Sequence, residues 1–177
     1  MKIHGKYVCF WNGWLSNFAW APMKVKCADG VTHNFFSSEQ YFMWHKAYHF
    51  KDYKVLNEIE NLMFDDISSS EAKALGRKVK NFNEEEWNKI SYDIIFKGCL
   101  AKFSQNKVLF DLITSPEYDD KYFVEASPYD CIWGVGLGEA DELIADENNW
   151  RGKNLLGKVL DRVRLELLNG YKDDIDY

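Results

Sequence analysis

Phe36-Ser37-Ser38-Glu39-Gln40-Tyr41-Phe42-Met43-Trp44-His45-Lys46-Ala47 is the stretch that sets both the fold and the chemistry of this chain. Ser37 reads as a helix N-cap, and Gln40 three residues on completes an S-x-x-Q capping box. Glu39 then lies in the first turn and Lys46 seven residues later, two turns away at roughly 100° per residue, so both project one way. A carboxylate and an amine share one face of an aromatic-lined helix.

Upstream of this helix the pattern is β-prone. Tyr7 to Trp11 is rich in strand formers, Asn12-Gly13 marks a turn, and Met23 to Lys26 alternates apolar and polar before an Asp29-Gly30 turn. Small antiparallel β-structure near the N-terminus is the expectation. Downstream, the first helix runs to about Phe50 and Val55 to Leu62 reads as a short second one. Ser68 with Glu71 predicts a capping box opening Ala72 to Val79, and Asn83 with Glu86 caps a long helix. Trp87, Ile90, Ile94, Ile95, Cys99 and Phe103 follow the i, i+3, i+4 period on that helix.

Val108 to Ile113 continues as a short helix, Tyr122 to Val124 is extended, and Ile132 to Gly138 is a glycine-rich loop followed by an acidic loop to Asn149. A last helix, about Leu155 to Leu168, carries Leu156, Val159, Leu160, Val163 and Leu167 on one stripe, with Gly170 suited to its C′ position. The expected fold class is α+β, mainly helical. The chain reads as a single domain over 1–177 with a core of about 7–168, and the acidic tail Asp173-Asp174-Ile175-Asp176 within 169–177 is expected to fray.

A chain of 177 residues with 46% hydrophobic and 28% charged residues can bury a core and is not of disordered composition. The net charge of −6 disfavours broad binding to a nucleic-acid backbone. No apolar run approaches the ~18 residues that span a bilayer and no secretory pattern opens the chain, so no membrane partner and a cytoplasmic location are expected. Cys9, Cys27, Cys99 and Cys131 form no C-x-x-C pair, which argues for reduced thiols. Oligomeric state is not encoded in any pattern.

Ser38 to Ala47, together with Leu15-Ser16-Asn17-Phe18, Ala72 to Arg77, Lys102 to Asn106, Val124 to Ser127, Asp130-Cys131-Ile132-Trp133-Gly134 and Asn154 to Gly157, resembles the NADAR (YbiA-like) N-glycosidases in motif and order. The resemblance covers Phe10 to Leu167. It implies a single YbiA-like domain that cleaves a base-to-ribose N-glycosidic bond without a cofactor.

By itself Lys46 reads as a solvated helix lysine. The resemblance instead implies a Schiff-base nucleophile at the anomeric carbon, which must be a neutral amine. Its ordinary value of ~10.4 would have to fall through desolvation among rings such as Phe42 and Trp44, or through a cationic neighbour. Glu39 either complements the helix dipole or carries protons during ring opening and base departure. Asp130 either makes a loop turn or steadies cationic character at the sugar carbon, and Trp133 fills core or walls the base.

The resemblance places Asn17, Phe18, Trp44, Arg77, Trp87, Trp133, Gly134 and Asn154 at the substrate. Asn17, Arg77, Lys102 and Asn154 could equally cap and bridge elements, with Arg77 the best phosphate fork. Gly134-x-Gly136-x-Gly138 lacks dinucleotide-fold spacing. His45 and His49 stand at i, i+4, but no third ligand suggests a metal site. Ser91 departs from the basic residue that relatives often carry four positions after the tryptophan matching Trp87.

Two substrate classes follow from the resemblance: ADP-ribose on guanine in nucleic acid, and phosphoribosylamino-pyrimidine or pyrimidinedione intermediates of riboflavin synthesis. The alternative is a module that binds NAD or ADP-ribose without turnover.

Overall fold

The computed structural model of the protein describes residues 1–63 and 67–171. In chain order the elements are Lys2–His4 (β1), Tyr7–Phe10 (β2), Met23–Lys26 (β3), Thr32–Phe35 (β4), Ser38–His49 (α1), Tyr53–Glu60 (α2), Ser68–Gly76 (α3), Glu84–Gln105 (α4), Lys107–Ile113 (α5), Tyr122–Glu125 (β5) and Leu155–Leu168 (α6). The fold is α+β and mainly helical. Two compact units divide the chain, one built from Met1–Ser16 and the described residues from Lys107 on, the other from residues 17–106. The tail residues Asp173-Asp174-Ile175-Asp176, expected to fray, lie outside the described residues.

The 17–106 unit is organised by α1, which packs on α2, α3, α4 and β4. Nine of its twelve residues are buried, so it is a core helix covered nearly all round rather than a half-solvated stripe. Its start follows the expected cap with one change of partner. The Ser37 hydroxyl accepts the Gln40 N–H at 3.2 Å, but the Gln40 carboxamide oxygen accepts the N–H of Phe36, not of Ser37, at 3.0 Å. The other end of the same amide donates to the Ile59 carbonyl at 3.0 Å and ties α1 to α2.

α3 differs from its sequence reading. It starts at Ser68 and ends at Gly76, with Ile67 at the N-cap and no side-chain cap bond. The serine hydroxyls have tertiary partners instead: Ser68 donates to the Met63 carbonyl, and Ser69 bonds to the Phe18 carbonyl and to Ser37 Oγ. A Cβ on Gly76 would strike the Met43 side chain, and one on Gly98 would lie 2.5 Å from Tyr41 Cδ1. Both glycines let α1 approach its neighbours closely. α4 begins as expected, with Asn83 Oδ1 accepting the Glu86 N–H at 3.0 Å. β3 and β4 form the antiparallel hairpin turned by Gly30 at φ +83°, and the Gln105 amide bonds both backbone groups of Lys24 at the edge.

In the other unit the N-terminal strands pair antiparallel as expected, and a strand from much later in the chain adds a parallel partner. β2 pairs antiparallel with β1 but parallel with β5, in register Tyr7↔Tyr122 through Phe10↔Glu125. All four β2 residues are buried, as suits a central strand with neighbours on both edges. α6 packs along β5, and its stripe from Leu156 to Leu167 is buried as the period required. Asn154, at φ +52°, joins the two: its Oδ1 accepts the Glu125 N–H at 3.0 Å and its Nδ2 donates to the Phe123 carbonyl at 2.9 Å.

Gly157 tests this join. A Cβ there would run into the backbone carbonyl oxygen of Phe123 and the Asn154 amide, none of which can rotate away, whereas a Cβ on Gly138 meets nothing within 4 Å. Gly157→Ala should cost about 3 kcal/mol or more by overpacking, against less than about 0.5 for Gly138→Ala. Urea denaturation of both variants measures the difference.

Candidate active site

Glu39 enters a prepared position. Its backbone N–H, one of the groups a helix start leaves unpaired, donates to the Asn17 carbonyl at 3.0 Å. Asn17 Oδ1 accepts the Ser38 hydroxyl at 3.0 Å and the Cys99 thiol at 3.5 Å. Asn17 thus fixes the turn that carries the carboxylate, and Glu39 itself is 5% exposed.

Two turns along, Lys46 is half-buried with its Nζ 4.0 Å from the centre of the Phe82 ring. Burial holds its amine below the ordinary lysine value; Glu39 pulls the other way and Arg77 adds to the lowering. A single field therefore couples Lys46, Glu39 and Arg77. Arg77 is exposed at the C-cap of α3, its guanidinium available to solvent. Phe42, four residues before Lys46, packs on Trp87 of α4 at 5.0 Å between ring centres, and Trp87 is 7% exposed. Phe18 is exposed, with Lys73 Nζ 5.3 Å from its ring.

Trp44 does not flank Lys46. Residues two apart on a helix face in nearly opposite directions, and Trp44, 1% exposed, stacks on Tyr48 at 5.2 Å and lies 4.8 Å from His33. The ring that meets the amine is Phe82, in the α3–α4 connection, which no period or motif singled out. Ser91 is buried one turn beyond Trp87.

In the other unit, Asp130 Oδ1 accepts the N–H groups of Ile132 and Trp133, both at 2.8 Å, and its own N–H donates to Ser127 Oγ at 3.1 Å. This is the turn-making arrangement. Gly134 is buried, and a Cβ there would come within 2.9 Å of two backbone carbonyl oxygens. Trp133 is partly exposed, and both ends of the Asn154 amide are engaged by the β5 backbone. Asn154 is therefore a scaffold tie.

His45 and His49 turn to different surroundings. His49 Nε2 meets Glu86 at 2.7 Å, whereas His45 is buried with its ring against Tyr41 and Trp44. Among the described residues no cluster of three His, Cys, Asp or Glu side chains could hold a metal ion, and no helix is long and apolar enough to cross a membrane. Cys9, Cys27 and Cys99 are buried thiols and Cys131 is exposed.

Lys102 carries the larger perturbation. It is 0% exposed, and burial pushes its amine down to about 8, with only the Cys99 thiol pulling up. The sequence offered no sign that this lysine, rather than Lys46, would be the fully enclosed one.

The fold is similar to that of YbiA. It superposes on the NMR structure of the Escherichia coli protein with a TM-score of 0.69 and 25% identity, covering 99% of this chain and 94% of that one. A model described as the NADAR domain matches residues 6–168. The chain belongs to the NADAR family. N-glycosidase R617 of Acanthamoeba polyphaga mimivirus is 44% identical over 130 residues, 73% of each chain. N-glycosidase YbiA of Shigella flexneri is 32% identical over 157 residues, 88% of this chain and 81% of that one. Protein irg-1 of Caenorhabditis elegans is 42% identical over 139 residues, which are 75% of this chain but only 61% of irg-1.

Two titrations test the electrostatics. Glu39→Gln removes the charge that raises the Lys46 value and should lower it further; Arg77→Gln should raise it. NMR of methylated lysines reads both shifts. Lys102, depressed from 10.5 to about 8, binds fewer protons folded than unfolded between those values, so its contribution to stability grows as pH rises through that window and is a cost at neutral pH. Lys102→Met should abolish that slope in urea midpoints measured across the window.

Proposed function

We propose that the protein is an N-glycosidase that hydrolyses the bond between a nitrogenous base and C1′ of a phosphorylated ribose. The observation that carries this reading is the half-buried Lys46 amine, held below its usual value by burial and by Arg77 against the opposing pull of Glu39. Its relatives N-glycosidase R617 and N-glycosidase YbiA support the bond class. A lysine that is less fully protonated at neutral pH is a better nucleophile, and a carboxyl in the same field is a proton carrier.

In the proposed sequence the Lys46 nitrogen forms a bond to C1′ as the base leaves, and the base takes up a proton from Glu39. The C1′–O4′ bond then breaks, O4′ receives a proton, and a ring-opened iminium remains on Lys46. Water adds to that carbon, a proton passes back to Glu39, and cleavage of the C–N bond returns the amine and frees the sugar. Arg77, with a planar fork of donors, suits the phosphate arm. Asp130, whose Oδ1 is committed to its own loop, is assigned the task of shaping that loop rather than of touching the sugar carbon.

ADP-ribosyl-guanine in nucleic acid and the phosphoribosylamino-pyrimidine or pyrimidinedione intermediates of riboflavin synthesis both offer this bond and an anionic arm. Buried Ser91, where relatives are often basic, is proposed to shift preference between them.

Borohydride added during turnover should leave a ribose-derived mass on Lys46, and Lys46→Ala should lose cleavage while retaining substrate binding. Glu39→Gln should slow turnover by about 10²–10⁴. The rate should rise with pH and level off below the ordinary lysine value of ~10.4, because the amine must be neutral. Full activity in Lys46→Ala would sink the nucleophile assignment; binding of ADP-ribose with no cleavage of either substrate class would leave a reader without turnover.

A further inference from the structure

Within the 17–106 unit, α1, α4 and the β3–β4 hairpin enclose a cleft of about 550 Å³. It opens on a different side of α1 from Glu39 and Lys46. Tyr41, His45 and Tyr48 line it at i, i+4 and i+7, and at roughly 100° per residue they point between about a third and a half of a turn away from that pair. The volume lies within the ~300–1,000 Å³ of small-molecule sites.

Three observations about its walls point to one class of occupant. First, the rings of Tyr48 and Tyr53, with Ile90 and Ile94, supply flat apolar surface above the buried Tyr41. Second, His45 is 8% exposed and its Nε2 has no hydrogen-bond partner among the described residues, so the imidazole keeps a binding valence that the fold does not use. Burial first, and Lys97 second, push its pKa down to about 4, so at neutral pH the ring is uncharged and can present a donor or an acceptor according to tautomer. Third, exposed Lys26, Lys51 and Lys97 stand in the walls against one carboxylate, Asp93.

Lys51 adds to the third point. It follows the last turn of α1 at φ +56°, a conformation that favours glycine, yet the position holds a cation.

We propose that this cleft binds a small planar aromatic anion of mononucleotide size, with its ring among the tyrosines, a polar edge at the His45 imidazole and its anionic group at Lys51 and Lys97. Such a ligand matches each wall at once: apolar flat surface, an unused neutral hydrogen-bonding group, and a cationic rim. An uncharged ring leaves the lysines unused, and a bare anion leaves the tyrosines and the imidazole unused. The site is independent of the glycosidase reading, since it shares none of Glu39, Lys46 or Arg77.

The test uses adenosine 5′-monophosphate, adenosine and inorganic phosphate as probes on the full chain carrying Lys46→Ala, which removes the proposed turnover. Long-range proton–nitrogen NMR resolves the imidazoles of the four histidines, with His45→Phe assigning the signal of interest. The monophosphate at a few millimolar should shift the His45 nitrogens and the Tyr41 and Tyr48 ring signals, more strongly than either adenosine or phosphate, and the shift should weaken with salt. Lys51→Gly with Lys97→Gln should fold as stably as the parent, because glycine suits the positive φ, and should weaken the monophosphate about tenfold. No shift at His45, equal effects from phosphate or adenosine alone, or undiminished binding in the double variant would each overturn the proposal.

Discussion

The seating of the first turn of α1 is the constraint on which the candidate site depends. A helix start leaves backbone N–H groups without partners, and burying it demands that each be met. Here Ser37 Oγ meets that of Gln40 and the Asn17 carbonyl meets that of Glu39, while Gln40 reaches back to Phe36 and across to Ile59. These bonds replace water with fixed protein groups, so a nearly all-round buried helix can begin inside the unit. The carboxylate of Glu39 inherits its position from that backbone geometry. Asn17 acts through it, as a positioning residue.

The two depressed lysines show why a shifted proton affinity does not by itself mark a nucleophile. Lys102 is the more perturbed, wholly enclosed on α4 and brought down to about 8 by burial. Its cause is the enclosure of a long side chain, which is also what a purely structural buried amine experiences. Lys46 is shifted in a different setting: it is only partly buried, an aromatic face lies 4.0 Å from the nitrogen, and an acid and a guanidinium act on it together. A substrate must be able to arrive, and protons must be able to leave. Those requirements are the reason Lys46, rather than the better-buried competitor, is the lysine proposed as nucleophile.

The sequence made the helices legible because their signals are local. Ser37, Asn83 and the Leu156 to Leu167 stripe act within a few residues of themselves, and the structure keeps all three. It failed where long-range partners decide. Ser68 looked like a cap until Met63 took its hydroxyl, and nothing in Tyr7 to Phe10 announces a parallel partner more than a hundred residues away. The same division holds at the candidate site. The shared face of Glu39 and Lys46 follows from helical period, but Phe82 comes from a connecting segment, and Trp44 was placed beside Lys46 by proximity in sequence although a helix sets such neighbours on opposite sides. Asn154 and Asp130 appear as motif polar residues without any local mark that their side chains serve backbone groups.

A helix buried nearly all round also changes what its polar residues can be for. On an amphipathic surface helix, Glu39, His45 and Lys46 would face water and need no explanation. On α1 each is enclosed by a different neighbour: Asn17 anchors the turn bearing Glu39, Phe82 lies against Lys46, and Tyr41 and Trp44 hold His45. Desolvation is unfavourable for every one of them, and the fold could have removed it with leucine at any position. Retaining three such groups on one twelve-residue helix is a stability cost that packing alone does not account for. The acid and the amine find their compensation in each other's field. The imidazole does not, and that asymmetry separates the two faces of α1.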